Sequence, residues 1–224
     1  MSVIEEEQEH KPKRVTSKAV TIFGVIALVV GLGTLGYIGW EYFGGNWKAK
    51  QESAAAVSEI ERAWADDIDP EAIGLLRISE FSEGYVQPVI PGFTQDVFRR
   101  GIGWDENSVM PGEVGNFIIA GHRTFNGQPF LSLPELKRGD LVEVETRTHL
   151  YVYKLRTNGD QIRVTYDKVW PLQQVPEEGA AGKKPTEALM TMITCSELFS
   201  SPWRTVVIAE LDQVIEKPAA QTSN

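Results

Sequence analysis

The chain has 224 residues, a formal net charge of −9 and a pI of about 5.0. Lysine and arginine are not concentrated in any block, so the composition argues against a nucleic-acid binder, which would usually present a basic face. One cysteine and three histidines exclude an internal disulfide and leave no ligand set for a zinc site.

The first predicted element is a membrane-spanning helix in residues 19–40, an uncharged run of 22 residues. At 1.5 Å per residue such a helix crosses the hydrocarbon core of a bilayer, which is about 30 Å thick. Most of the nearby basic residues precede it, at Lys11, Lys13, Arg14 and Lys18. The positive-inside rule therefore predicts a cytoplasmic N-terminus. The alternative is a cleaved signal peptide, but its apolar region would be only about 7–15 residues long, so we expect an uncleaved anchor.

A short amphipathic helix is predicted next, over residues 52–65. Three apolar residues, Val57, Ile60 and Trp64, lie on one side of it, and Pro70 follows soon after its end. We interpret this helix as a stalk that holds the rest of the chain away from the membrane.

The remaining sequence is typical of a mainly β domain. Short apolar runs are separated by Gly, Pro, Asn and Asp, and residues 141–145 and 151–155 alternate with period two. Brief helical patterns occur only at residues 94–100 and 132–137. Eight short strands with so little helix favour a closed barrel over alternating βαβ units. The candidate strands are residues 75–78, 85–90, 116–120, 141–146, 150–155, 163–169, 189–194 and 203–210.

Cys195 is the only thiol of the chain, and it directly follows the predicted strand 189–194. A single cysteine is more commonly buried as a small apolar residue, but a strand end that opens into a loop can hold a side chain and expose it. A thiol attacks an amide as the thiolate, helped by a base or a cation and by a donor to the oxyanion. Arg204 opens the next predicted strand, so a hairpin would bring its guanidinium beside Cys195.

Three histidines compete as the proton-transfer partner of this thiol. His10 is on the cytoplasmic side of the predicted anchor and is excluded by that topology. His149 lies in a short connection between two predicted strands and is interpreted as a polar surface residue. His122 follows the strand 116–120 and heads a polar loop, so it lies at a strand exit as Cys195 does. The residues alone are compatible with a Cys/His/Arg site and also with ordinary structural roles for these side chains.

Several segments resemble motifs of the sortase family. Residues 191–195, Thr-Met-Ile-Thr-Cys, are similar to the sortase motif Thr-Leu-x-Thr-Cys, and Arg204 stands in the place of the family arginine. Residues 115–124, Gly-Asn-Phe-Ile-Ile-Ala-Gly-His-Arg-Thr, resemble the strand that carries the sortase histidine. The likeness spans about residues 75–211, and residues 120–124 and 85–89 look most like class E sortases of actinobacteria. Met192 replaces the usual Leu, and Ser196-Glu197 stands where many class E members have His-Pro.

The resemblance implies an eight-stranded closed sortase-type β-barrel with short helices, acting as a cysteine transpeptidase. It implies Cys195 as the nucleophile, His122 as the proton donor and Arg204 as the oxyanion-stabilising cation, with no cofactor and no metal. Tyr85 is implied as a substrate-pocket residue, against the alternative of simple core packing. Thr194 is predicted to bind substrate through a nearby backbone N–H.

The implied substrate is a secreted protein with a C-terminal sorting motif, Leu-Ala-x-Thr-Gly or Leu-Pro-x-Thr-Gly. The enzyme would cleave it between Thr and Gly through a thioacyl intermediate and transfer it to an amine of a peptidoglycan precursor. Three alternatives stay open at this point. They are a catalytically silent barrel that binds peptides at the membrane surface, a hydrolase that releases its acyl group to water, and a redox-sensing thiol, which would lack a resolving cysteine.

The predicted organisation is that of a single-pass protein of the cell membrane with an extracellular catalytic domain. It comprises a cytoplasmic tail (1–18), a transmembrane anchor (19–42), a stalk or linker helix (43–72), a sortase catalytic domain (73–213) and a flexible C-terminal tail (214–224).

Overall fold

The computed structural model describes residues 18–40, 44–196 and 201–218, and the chain divides into two compact units, residues 1–41 and 42–224. The first unit contains helix α1, Lys18–Gly39, whose apolar side chains are exposed. Within it, Val20–Gly39 has a mean hydropathy of 2.1 and is long enough to cross a membrane. By length and composition α1 is therefore a candidate membrane anchor.

The second unit is built on a closed β-barrel with few helices. Its helices are α2 (Gly45–Ala65) and α3 (Gln95–Arg100), with 3₁₀ turns at Leu133–Glu135 and Trp170–Leu172. Its strands are β1 (Gly74–Arg77), β2 (Val86–Pro91), β3 (Ile102–Trp104), β4 (Gly115–Ala120), β5 (Leu141–Glu145), β6 (His149–Leu155), β7 (Ile162–Thr165), β8 (Ala188–Cys195) and β9 (Trp203–Glu216).

Eight strands form the ring, in the order β6-β5-β1-β2-β3-β4-β8-β9, and pairing of β9 back onto β6 closes it. The ninth strand, β7, pairs only with the first residues of β9 and lies outside the ring. The closed eight-stranded barrel expected from the sequence is thereby confirmed. Its membership differs from the expectation, because β3 was not predicted and the predicted strand 163–169 is the external β7.

Period-two alternation separates the barrel interior from its outer surface. The side chains that fill the interior are buried, and they include Leu76, Val89, Ile102, Phe117, Ile119, Met190, Met192 and Val207. On the outside, α2 and α3 pack over β1 and β2 in a second apolar cluster that contains Val57, Ile60, Trp64, Leu75, Ile90 and Val97. The interior core fixes the register of each strand, since a slip by one residue would expose its apolar face.

Helix α2 packs along the barrel over its whole length. It begins at Gly45 rather than at residue 52, and it buries Asn46, Ala49 and Ser53 in addition to the three predicted apolar residues. The early start is absent from the sequence pattern because two of the added buried residues are polar and are paired only by tertiary contacts. The boundary between stalk and catalytic domain at residues 72 and 73 stays a prediction.

The C-terminal strand is longer than predicted. Strand β9 continues to Glu216, where its last residues pair with β6 through Tyr151↔Val214 and Leu150↔Ile215. Residues 214–216, assigned from the sequence to a flexible tail, therefore belong to the barrel. Residues 219–224 lie outside the described part of the chain, as do residues 1–17 with His10.

Candidate active site

Cys195 and Arg204 lie on the paired strands β8 and β9, and His122 lies two residues beyond the end of β4, the other neighbour of β8. Cys195 and Arg204 are directly opposite each other in the antiparallel pair β8–β9. In the parallel pair β4–β8 the last matched residues are Ala120 and Ile193, so the residues two positions further on, His122 and Cys195, are at the same height. The pairing extends past the end of β4, because the N–H of Gly121 donates to the carbonyl of Ile193 at 3.1 Å.

All three side chains lie on the outer surface of the barrel. The inward-facing residues at this end of the three strands are Phe117, Ile119, Met190, Met192, Val207 and Ala209. Counting in steps of two from these positions leaves Cys195 and Arg204 facing outward, and the contact of the His122 ring with Phe98 of the external helix α3 places the imidazole on the outer surface too. Directly opposite residues of an antiparallel pair such as Cys195 and Arg204 have Cβ atoms about 4.5–5.5 Å apart. The three residues form a row, here called the reactive row, in which β8 with Cys195 lies between β9 with Arg204 and the segment that carries His122.

Cys195 is half-buried and ends β8. The carbonyl of Ser196, the residue after Cys195, accepts a hydrogen bond from Nη1 of Arg123. Arg123 directly follows His122, so one guanidinium joins the segment that leaves the imidazole to the segment that leaves the thiol. Sequence reasoning did not assign this role to Arg123, although the residue lies in the quoted histidine motif.

His122 has a partly desolvated ring. The ring of Phe98, on α3, lies against it with centroids 5.1 Å apart and an interplanar angle of 59°. Burial lowers the pKa of His122 below its ordinary value of 6.5, because a low-dielectric surrounding disfavours the charged form. Its Nε2 is buried and has no hydrogen-bond partner among residues 18–40, 44–196 and 201–218. The surroundings thus favour the neutral imidazole, and its Nε2 is enclosed by protein atoms.

Arg204 is held by the turn that precedes it. Its Nη1 donates to the carbonyls of Ser201 at 2.7 Å and Trp203 at 3.0 Å. A guanidinium carries five N–H groups, so these two bonds orient the fork without using all of it. Trp203 itself lies under the guanidinium of Arg163, 5.0 Å from the ring centroid, which fixes the start of β9 against β7.

Thr194 has a structural contact that the sequence did not indicate. Its side chain is buried, and its hydroxyl donates to the carbonyl of Gly121 at 2.8 Å. This bond ties β8 to the segment that carries His122 and so helps to set the height of the imidazole relative to the thiol. A substrate contact of Thr194 would have to come from its main chain, and that role stays a prediction.

Tyr85 lies away from the reactive row, in a pocket beside α2. Its hydroxyl donates to the carbonyl of Pro129 at 2.6 Å, and its ring meets Phe81 edge-on with centroids 4.9 Å apart. Burial raises the pKa of Tyr85 far above its ordinary value. The pocket has a volume of about 360 Å³, and Phe81, Tyr85, Pro129 and Leu131 line it together with residues of α2. The structure thus gives Tyr85 both a pocket-lining position and a packing role.

His149 is placed apart from these groups. It is the first residue of β6, its Nδ1 is 2.8 Å from the hydroxyl of Thr148, and its ring lies 5.7 Å from that of Tyr151. Strand β6 does not neighbour β4 or β8 in the ring. Within the described part of the chain, no group of three or more His, Cys, Asp or Glu residues is arranged to hold a metal ion.

Comparisons with known proteins agree with the fold. The Sortase domain family model matches residues 76–212, a range that contains all five predicted site residues. Sortase SrtE2 of Streptomyces coelicolor is 27% identical over 220 residues, which cover 90% of this chain and 85% of that protein. The structure of sortase E from Streptomyces avermitilis superposes with a TM-score of 0.58 at 27% identity, covering 67% of this chain and 96% of that one. The SrtF sortase from Corynebacterium diphtheriae superposes with a TM-score of 0.61 at 27% identity, covering 68% and 90%.

Proposed function

The chain belongs to the sortase family of transpeptidases, and on this premise we propose that it cleaves a sorting motif, Leu-Ala-x-Thr-Gly or Leu-Pro-x-Thr-Gly, between Thr and Gly. The acyl part would pass through a thioester on Cys195 to an amine of a cell-wall precursor. The observation that carries this proposal is the reactive row formed by His122, Cys195 and Arg204. A nucleophile flanked by a proton carrier and a fixed cation is the arrangement that acyl transfer requires.

In the proposed reaction the thiolate of Cys195 attacks the Thr carbonyl carbon and forms a C–S bond. The carbonyl oxygen gains the negative charge, and the guanidinium of Arg204 stabilises that oxyanion. Collapse of the tetrahedral intermediate breaks the Thr–Gly C–N bond. His122, as imidazolium, gives its proton to the departing Gly amine, leaving a thioacyl enzyme and a neutral imidazole.

The second half of the reaction reverses these roles. The nitrogen of the incoming amine attacks the thioester, and the neutral imidazole of His122 accepts a proton from that amine. The sulfur leaves as thiolate, and the new amide joins the substrate to the acceptor. Because burial lowers the pKa of His122, its imidazolium is a minor species at neutral pH, and only the small population that combines thiolate with imidazolium starts the first half.

The location of the reaction follows from α1. An apolar helix of this length close to the N-terminus, preceded by basic residues, supports a single-pass anchor with a cytoplasmic N-terminus. The catalytic domain would then face the cell exterior, where it would meet secreted proteins that carry sorting signals. Tyr85 is proposed to contribute to recognition of the motif from its pocket beside α2.

The test is a product analysis with the full-length protein in detergent micelles. It is incubated with a Leu-Ala-x-Thr-Gly peptide or a Leu-Pro-x-Thr-Gly peptide, with and without a glycine-based amine, and the products are read by mass. We expect a thioacyl adduct on Cys195 and a ligated peptide when the amine is present. Cleavage to the free carboxylate despite the amine would favour the hydrolase, and no adduct with either peptide would favour the silent barrel.

A further inference from the structure

The segment that carries His122 forms a strained loop, residues 121–131, here called the His122 loop. It is closed on itself by a hydrogen bond from the N–H of Phe130 to the carbonyl of His122 at 3.1 Å. Three consecutive residues at its tip, Asn126, Gly127 and Gln128, have φ values of 51°, 81° and 61°. The left-handed region is unfavourable for a residue with a Cβ, and such conformations persist when the surroundings hold them.

Asn46, in the first turn of α2, supplies part of that hold. Its Nδ2 donates to the carbonyl of Thr124 at 3.2 Å, and its Oδ1 accepts from the N–H of Gly127 at 3.1 Å. Both ends of one amide therefore bind backbone groups of the His122 loop, 78 and 81 residues away in sequence. Asn46 is only 9% exposed, so its removal leaves the partly buried N–H of Gly127 without this acceptor, and such a loss is costly.

Helix α2 contacts the tip of the loop at Gly127, whose φ of 81° favours glycine. A Cβ added to Gly127 would lie 3.4 Å from the backbone nitrogen of Lys50 and 3.6 Å from the carbonyl carbon of Ala49. The helix backbone thus rests on the tip of the loop at the residue whose N–H binds Asn46. On the other side of the loop, the hydroxyl of Tyr85 binds the carbonyl of Pro129 at 2.6 Å.

We propose that Asn46 is a positioning residue for His122, which it holds in the reactive row by fixing the loop that follows it. The catalytic role of His122 in this inference rests on the proposed function. The hydrogen bonds by which Asn46 holds the loop do not depend on it. When the loop is released, the left-handed tip relaxes, and the bond between Phe130 and the His122 carbonyl transmits that movement to the imidazole. Helix α2 is then part of the catalytic unit and not only a spacer.

The test compares two substitutions on α2 in the full-length protein. Asn46→Ala removes both bonds to the His122 loop. The matched control is Ile60→Val, because Ile60 is also buried on α2 but packs in the outer apolar cluster with residues of β1 and β2. Each variant thus weakens the contact between helix and barrel, and only the first changes a residue that binds the loop. Asn46→Asp is a third variant that keeps the shape and the acceptor for Gly127 but loses the donor to Thr124.

The first readout is amide hydrogen exchange of the peptide that spans residues 124–130. We expect faster exchange in Asn46→Ala, an intermediate rate in Asn46→Asp, and the native rate in Ile60→Val. The second readout is the rate of thioacyl formation, for which we expect Asn46→Ala to lower kcat about tenfold while KM changes less than about twofold, since misplaced catalytic groups cost rate more than binding.

Either of two results would overturn the proposal: native exchange in Asn46→Ala, or faster exchange with unchanged kcat. An equal fall of kcat in Ile60→Val, with native exchange of the loop, would also overturn it, because general loosening of α2 would then explain the loss. If the wild-type protein formed no thioacyl adduct with any sorting peptide, the proposed function would fail, while the exchange experiment would still decide whether Asn46 fastens the loop.

Discussion

Two regions on opposite sides of the barrel differ in how completely their polar groups are paired. Across the ring from β8, at β1 and β5, lies a charge network of Arg77, Glu145 and Lys217. Glu145 accepts from Nε of Arg77 at 2.8 Å and from Nζ of Lys217 at 2.7 Å, and Lys217 also lies over the ring of Trp64 at 4.6 Å. Beside Cys195, in contrast, Nε2 of His122 and Nε of Arg123 are buried without partners among the described residues.

We interpret this difference as a division between a region that acts on another molecule and a region that stabilises the fold. A buried polar atom without a partner costs stability, so a fold tolerates it where another molecule will supply the bond. In the charge network every member has found its partner within the chain, and the consequence is a fixed junction between α2, β1, β5 and the end of β9. Substitutions in the reactive row should therefore change activity at nearly constant stability, and substitutions in the charge network should do the reverse.

The largest effect is expected from Cys195→Ala, which removes the nucleophile. Thioacyl formation should disappear, as read by intact mass after incubation with sorting peptide, because no other thiol exists in the chain. The thermal unfolding midpoint should stay near that of the wild type, since the side chain is half-buried and small. Residual adduct at another residue would contradict the assignment of Cys195.

Arg204→Lys comes next, with an expected fall in kcat of about 10²-fold, the size seen when one oxyanion donor is lost. A lysine keeps the charge but cannot reproduce the planar fork that Ser201 and Trp203 orient. The matched control is Arg163→Lys, on the neighbouring strand β7, where the guanidinium stacks on Trp203. Equal falls in kcat in the two variants would contradict a specific role of the Arg204 guanidinium.

The charge network gives the reciprocal case. Glu145→Ala should lower the free energy of unfolding by about 1–2 kcal/mol, because Arg77 and Lys217 both lose a charged hydrogen-bond partner that is partly screened by solvent. Urea unfolding of the full-length protein measures the change. We expect kcat of the folded fraction to be retained, and a fall in kcat comparable with that of Arg204→Lys would remove the contrast between the two regions.

The smallest effect concerns the environment of His122. Phe98→Ala should admit water to the imidazole and raise its pKa toward 6.5, as followed by NMR of labelled histidine. Phe93→Ala is the control, because Phe93 stacks on Phe98 with centroids 5.9 Å apart and its loss leaves the ring against His122 in place. A pKa unchanged in Phe98→Ala would show that desolvation comes from other groups.

The same shift sets a pH dependence of stability with a definite sign. The folded protein binds a proton at His122 less readily than the unfolded chain, whose histidines titrate near 6.5. This contribution to stability is therefore fully present above that pH and declines as the pH falls below it. Unfolding of Phe98→Ala should show a weaker decline over the same range.

The sequence predicted the barrel more completely than its strand membership. Seven of the eight predicted strands coincide with ring strands, because short apolar runs separated by Gly, Pro, Asn and Asp predict strands even where they do not alternate. Strand β3 escaped prediction because it has three residues with Gly103 in the middle, too short for any alternation to appear. The predicted strand 163–169 stops at Thr165, because Tyr166 and Asp167 form a turn that is closed by a hydrogen bond from the N–H of Lys168 to the carbonyl of Thr165 at 3.0 Å.

The candidate site was predictable to the extent that its residues lie at strand ends in recognisable motifs. His122, Cys195 and Arg204 could be placed at the same edge from those motifs and from the β8–β9 hairpin. The neighbours that act on them could not be placed, because Phe98 reaches His122 from α3 and Asn46 reaches the His122 loop from α2. Such contacts depend on how helices pack on the barrel, and no local pattern encodes that packing.

The different sequence separations of the pairs β8–β9 and β4–β8 also predict the order in which these pairs form. Cys195 and Arg204 are brought together by a local hairpin, which closes in microseconds in model systems. The parallel pair β4–β8 instead joins segments whose bonded residues are 73 positions apart, and contacts of such long range form slowly because the chain must first lose the entropy of a large loop. We therefore expect a nascent molecule to bring its sulfur beside the guanidinium before the imidazole arrives, and the three groups meet only when β4 pairs with β8.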